Sequence, residues 1–411
     1  MSAHSAGRNG SSFASSISLL SIMLFTVLGT TILRPVIDLN LNRAGLTKTY
    51  IGANGVMWEL GCFLAALLLV RGLRRWGQRT LLAVCLSLLP LLILATPPLL
   101  PTPFLFPLRF ALGFLTTLVC LACITGSVVA SGKENHGTAL CVITASATGA
   151  KALGSAMVRQ VGIDGYGPFL LAGMSVGLGL LLLASLRNGA PKGGLGPQRS
   201  PLACAKVSPF ALGTLVILAF CAGACRAAFF TFLPIYATGI GFRPEDGALL
   251  LAVAFAGAVI LSVPIGRLGD RFGHGRMLVL VMLVVIAASI PLVAPVTGLP
   301  WLMVMVFVIG GGFSTTRDLG QAVWSCRHPE PENVIAHLSF WAGLGAVVGV
   351  LGTGVFMDLW GPLAFGAAVI GGGVLIMIMA ASTDPRALKV DEDTERDMDP
   401  LVGANKILFD D

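Results

Sequence analysis

Apolar residues run in long blocks along nearly the whole chain, with short polar segments between them. A block of about twenty is what one α-helix needs to cross the hydrocarbon core of a bilayer. Twelve such blocks are read, at roughly 16–37, 50–70, 80–100, 104–130, 137–160, 166–186, 209–238, 246–266, 277–296, 300–323, 335–358 and 361–382. Several contain Pro or Gly, which membrane helices tolerate where neighbouring helices satisfy the freed backbone groups. The pattern predicts an all-α integral membrane protein of twelve spans, with the lipid bilayer as its main partner.

Composition points the same way. Hydrophobic residues make up 55% of the chain and charged ones 11%, with a mean hydropathy of +0.86. A soluble core cannot absorb that much apolar surface in 411 residues. The polar, Ser-rich start (1–15) leads into the first block with no small-residue cleavage site, so that block is read as a retained helix. Of nine cysteines, all but Cys204 lie in or beside apolar blocks. Cys120 and Cys123 form a CxxC inside a span with no second pair to complete a zinc site, so the cysteines are read as packing residues. No metal site and no cofactor is predicted.

Charge sets an orientation. Residues 71–79 carry Arg71, Arg74, Arg75 and Arg79 without an acid, and the central segment carries Arg187, Lys192, Arg199 and Lys206. Connections 97–103 and 297–300 carry no charge at all. Lys and Arg concentrate on cytoplasmic loops, so both termini, the central loop and the 71–79 and 266–276 turns are expected in the cytoplasm. Short loops suit a bacterial inner membrane. The expected organisation is a tail (1–15), a first bundle (16–187), a central loop (188–208), a second bundle (209–382) and a disordered tail (383–411) with nine acids against four bases. The net charge of +7 sits on loops where anionic lipid accounts for it, and no nucleic-acid partner is implied.

The two halves echo each other. Pro35 in ILRPVI matches Pro234 in TFLPIY, RGLRRWG (71–77) matches RLGDRFG (267–273), and ALGFLTT (111–117) matches GGGFSTT (310–316). The segment from Pro264 to Arg276, PIGRLGDRFGHGR, is the most specific signature. Gly266, Gly269 and Gly273 allow a tight turn with positive torsions, and Asp270, Arg271 and Arg276 supply charge. This segment closely resembles the loop after the second helix of each half in the major facilitator superfamily, a family of twelve-helix secondary transporters. The resemblance implies the major facilitator fold: two pseudo-symmetric six-helix bundles with a substrate site between them at mid-depth. It also implies that Asp270 latches one conformational state by accepting from backbone N–H groups at a neighbouring helix N-terminus. The first-half copy keeps Arg75 and Gly77 but has Arg74 in place of the aspartate and Val70 in place of the first glycine. Arg109 and Gly113 partly match a fourth-helix signature, and the fifth helix lacks the Gly-Pro pair of antiporters. FLPIY together with the loop motif resembles the YcaD-type branch.

Ionisable groups at membrane depth are costly and by default face a cavity or a partner. The candidates are Arg34, Asp38, Glu59, Arg109, Lys151, Arg159, Arg226, Arg317, Asp318 and His337. Arg34 and Asp38, four apart, could neutralise each other. Asp38 and Arg159 could instead snorkel, and His337 is read as structural. Glu59, on a face with Gly52, Gly55 and Cys62, is either a proton site or the partner of an arginine. Lys151 lies at the middle of its span with no acid in its own helix. Arg34, Arg109, Lys151, Arg226 and Arg317 are the substrate-binding candidates, and Glu59, Asp38 and Asp318 the proton-coupling candidates. Bases outnumber acids in this set, which favours an anionic cargo. The expected function is a secondary active transporter of a small anionic organic solute, coupled to protons or another ion and acting as a monomer. Efflux of neutral or cationic compounds and a non-transporting sensor on the same fold stay open. No HExxH, GxSxG or paired-Asp motif supports an enzyme.

Overall fold

The computed structural model describes residues 3–130, 136–185, 209–294, 298–325 and 331–382. The central loop and the acidic tail expected from the sequence lie outside the described residues. Within them the chain is helical nearly throughout, since a backbone surrounded by lipid must satisfy its own polar groups.

The helices are α1 Ala3–Arg43, α2 (48–76) and α3 (78–94), which form one run Lys48–Leu94 broken at Gly77, α4 Leu105–Ala130, α5 His136–Val161, α6 Gly167–Ser185, α7 Pro209–Gly239, α8 Pro244–Phe272, α9 His274–Ser289, α10 Leu299–Ser325, α11 Pro331–Trp360 and α12 Ala364–Ser382. Among the described residues, eleven are long and apolar enough to cross a membrane on those grounds alone. The exception is α5, whose Lys151, Arg159 and many small polar residues dilute its hydropathy. The backbone of α1 is helical from Ala3, although its apolar span begins at Ser16.

The first six helices pack among themselves, as do the last six, giving two bundles that meet along α2–α11, α5–α8 and α1–α7. Their repeat is detailed. At the end of α1, Gly45 (φ +77°) lets Leu46 N–H reach Leu41 C=O, Gly45 N–H reach Asn42, and Ala44 N–H reach Asn40. At the end of α7, Gly241 (φ +100°) does the same for Phe242 to Ala237, Gly241 to Thr238 and Ile240 to Tyr236. These are paired helix stops of the Schellman type, each residue displaced by 196 positions. Close helix crossings repeat as well. A Cβ on Gly113 would lie 2.4 Å from Trp58 O between α4 and α2, and one on Gly310 would lie 2.5 Å from Ala254 O between α10 and α8.

The arginine-rich turns differ from the sequence expectation. Both are helical almost through, and each breaks at one residue: Gly77 (φ +75°) between α2 and α3, and Gly273 (φ +92°) between α8 and α9. Gly266 and Gly269 stay within α8, so the positive torsion belongs to Gly273 alone. A single glycine with positive φ and extended ψ lets two antiparallel helices join without a loop. Of the other two, Gly269 serves packing, since a Cβ there would press on Leu319 and His274, whereas one on Gly266 would meet nothing within 4 Å.

At the opposite end the bundles are clamped together. The carboxylate of Asp358, in the last turn of α11, accepts from Lys48 N–H and Thr49 N–H, both at 2.7 Å, and from Thr49 Oγ at 2.6 Å. With Thr47 Oγ accepting from Tyr50 N–H, the first turn of α2 is fully capped, in part by the other bundle. Asn42 Nδ2 donates to Thr238 Oγ1 across α1–α7, and Arg159 faces Asp246 at 3.8 Å across α5–α8. Loss of a cap costs about 1 kcal/mol, roughly a fivefold change in an equilibrium. Asp358→Ala is therefore expected to raise the labelling rate of a cysteine placed at Asn42 by about that factor. An impermeant thiol reagent reads it, and an unchanged rate refutes the clamp.

Candidate functional site

The mid-membrane charges gather in the first bundle and reach the seam with the second. Arg34 of α1 donates to Glu59 of α2 at 2.8 Å, and both are partly exposed. Four residues along α1, Asp38 pairs with Arg109 of α4, and both side chains are buried. Arg34 and Asp38, read as able to neutralise each other, still feel one another's charge, but their direct ion pairs are with other helices. On a helix these two share a face, but each finds a closer partner on a neighbouring helix. Trp58 lies between the pairs, its ring 5.3 Å from the Arg34 guanidinium and 6.0 Å from that of Arg109. Such distances give cation–π attraction.

Close backbone approach makes this possible. Gly61 and Gly113 let α2 and α4 touch, and the main chain of Trp58 sits directly against Gly113. Glycines in membrane helices allow this intimacy because lipid offers no hydrophobic penalty for separation, so packing decides association. On the seam side Gly52 and Gly55 let α2 meet Val350 of α11.

Lys151 of α5 points into the seam. Its ammonium lies 5.8 Å from the ring centroid of Phe255 on α8, in the other bundle. Among the described residues no carboxylate stands within salt-bridge distance of it. Arg226 of α7 is the foremost charged group acting on it, followed by Arg34, with Glu59 weaker. Arg34, Glu59 and Arg226 thus lie close enough to Lys151 for their charges to act on it, with Asp38 and Arg109 a turn further from the arginine-rich end. Arg317 and Asp318 lie on α10, but their side chains, like that of His337, fall outside the described residues. Arg159 is near the helix end, half exposed and 3.8 Å from Asp246, whereas Asp38, the other residue read as able to snorkel, is buried against Arg109.

At the arginine-rich end Arg75, Gly77, Arg271 and Arg276 are exposed. Asp270 is three-quarters exposed, and its carboxylate lies 3.1 Å from His274 Nε2. Among the described residues no backbone N–H of a neighbouring helix donates to it.

Sequence reasoning passed over three polar groups. Asp358 is the one charged residue between Leu338 and Trp360, which could have marked it. Asn54, fully buried with neither amide atom paired, sits on the α2 face that carries Tyr50 against Phe106 and Trp58 against Gly113. That face looks toward Arg109, whose Nε and Nη1 are also unpaired. Asn42 was hidden by its position near a helix end.

A sequence model described as Major Facilitator Superfamily matches residues 19–333, most of the chain. The chain belongs to the major facilitator superfamily. A relative from Bacillus subtilis (strain 168), the uncharacterised MFS-type transporter YfkF, is 23% identical over 333 residues, covering 79% of this chain and 84% of that one. Among solved structures, the nucleoside transporter NupG superposes with a TM-score of 0.71 at 15% identity, over 90% of this chain and 98% of that one. A D-xylose–proton symporter gives 0.69 at 13% identity, over 89% and 97%. An auto-inhibited POT family peptide transporter gives 0.70 at 10% identity, over 90% and 97%. At such identities the likeness is one of fold. Family membership and fold together make this major facilitator protein a multi-pass membrane transporter of the secondary class.

Proposed function

We propose that this transporter moves a small anionic organic solute by alternating access, coupled to protons. In this reading it acts as a monomer in a bacterial inner membrane, with its termini and arginine-rich turns in the cytoplasm. One observation carries the reading: Lys151 places an ammonium in the seam between the bundles with no carboxylate within salt-bridge distance among the described residues, beside further cations. An uncompensated cation at membrane depth is expensive, and a bound anion would offset that cost. Arg34 and Arg226 would share the load. Arg109, held by Asp38 and fully buried, is better suited to fixing α1 against α4 than to meeting a solute.

Glu59 is the proton carrier this arrangement favours. It is partly exposed, and its protonation would free Arg34, so that proton loading and anion binding act on the same pair. Asp38, sealed against Arg109, lacks that access.

Lys151→Ala is expected to weaken uptake of an anionic solute by about ten- to a hundredfold, the range for losing a hydrogen bond to a charged group. Proteoliposome flux with panels of organic acids measures it. If every transported acid is unaffected while a neutral or cationic compound moves, the efflux alternative takes its place. Glu59→Gln is expected to abolish proton-driven accumulation while exchange of labelled for unlabelled solute continues. Intact accumulation removes Glu59 as the carrier.

A further inference from the structure

We infer that the solute carries a planar aromatic ring beside its anionic group, and that Phe255, backed by Phe230, is the surface on which that ring lies. The inference rests on the anion reading of Lys151 given above.

Phe255 reaches from α8 across the seam to Lys151 on α5. Its ring is parallel to that of Phe230 on α7, with centroids 4.5 Å apart and planes 6° from coplanar orientation. Phe230 is held edge-on by Phe229, at 5.3 Å and 78°. Phe229 is fully buried, stacks with Phe365 at 6.0 Å and touches Phe313 at 5.7 Å. Phe365 in turn meets Tyr236 at 5.0 Å. These rings form a ladder that begins in the packed core of the second bundle and ends at the charged level of the seam. Its inner members are buried, whereas Phe230 and Phe255 are only partly so.

Helix packing alone does not call for such an ending. Aliphatic side chains would fill the space between α7 and α8, and a flat ring held on one face by a second ring presents its other face outward. The Lys151 ammonium lies over the Phe255 ring, 5.8 Å from its centroid, and among the described residues it has no carboxylate within salt-bridge distance. A carboxylate or phosphate attracts an ammonium far more strongly than a ring face does. When an anion draws Lys151 away, the ring of Phe255 is uncovered a few ångströms from the bound charge. The group that suits this face is another flat ring in offset or edge-on contact. Anchored from behind, Phe255 needs little reordering to receive it.

Binding of 2-naphthoate and of its saturated counterpart, decahydronaphthalene-2-carboxylate, to the purified full-length protein by calorimetry tests this. The two acids share charge and carbon skeleton and differ in flatness and π-character. The flat acid is expected to bind at least tenfold more tightly. Phe255→Leu, which keeps apolar bulk, is expected to erase that preference while leaving the saturated acid unchanged, and Phe255→Tyr to retain it. Lys151→Ala is expected to weaken both acids alike. Equal affinities for the two acids, or a preference that survives Phe255→Leu, overturns the aromatic inference while dependence on Lys151 keeps the anion reading standing. No binding of either acid, or binding indifferent to Lys151→Ala, overturns both.

Discussion

Asp38→Ala is expected to destabilise the first bundle by about 3–5 kcal/mol, the range for removing one partner of a buried ion pair. Arg109 is fully buried, its Nη2 is held by Asp38, and its Nε and Nη1 have no partner in the protein among the described residues. Without Asp38 the guanidinium would keep its charge in a buried setting with no carboxylate directly paired to it, over the face of Trp58. The double change Asp38→Leu with Arg109→Met should recover most of the loss, because apolar replacement of both partners leaves no stranded charge. Thermal unfolding in detergent of the two singles and the double completes the cycle. Additive losses would show that the two residues do not act as a pair.

A second large effect is expected where α7 meets α11. A Cβ on Gly223 would fall 2.0 Å from Ala342 O, and one on Gly345 would fall 2.0 Å from Phe220 O. The obstacle in each case is backbone on a neighbouring helix, which cannot turn aside as a side chain can. Gly345→Leu is therefore expected at or beyond the upper end of the overpacking range, about 3 kcal/mol. Gly177→Leu on α6 meets nothing within 4 Å and serves as the control. Size-exclusion profiles and unfolding midpoints compare the two. Equal behaviour would mean that the close α7–α11 crossing does not exist.

The sequence revealed the spans and the repeat because both are written in local terms, block length and turn chemistry. Gly45 and Gly241, or Gly77 and Gly273, mark equivalent stops at which positive φ favours glycine. Partners were less legible. Arg34 and Asp38 are close in sequence, yet Glu59 and Arg109 take them, since helices distant along the chain decide what a membrane-buried charge meets. The loop motif suggested three turn-forming glycines, but the helix absorbed two of them, because Pro264 and Gly266 do not break a helix whose neighbours hold it. Phe255 could not be picked out among 22 phenylalanines, because lipid-facing, core and site rings share one letter. Lys151 stood out because a lone cation in an apolar block has few bland explanations.

The carboxylate of Asp358 ties the start of α2 to the far bundle. Any rocking that parts the bundles there strips two backbone donors of their acceptor at a stroke, a penalty of about 1–2 kcal/mol. The resting population is thereby weighted some five- to thirtyfold toward the shape shut at that mouth. A cargo can open it only by preferring the parted shape by at least as much.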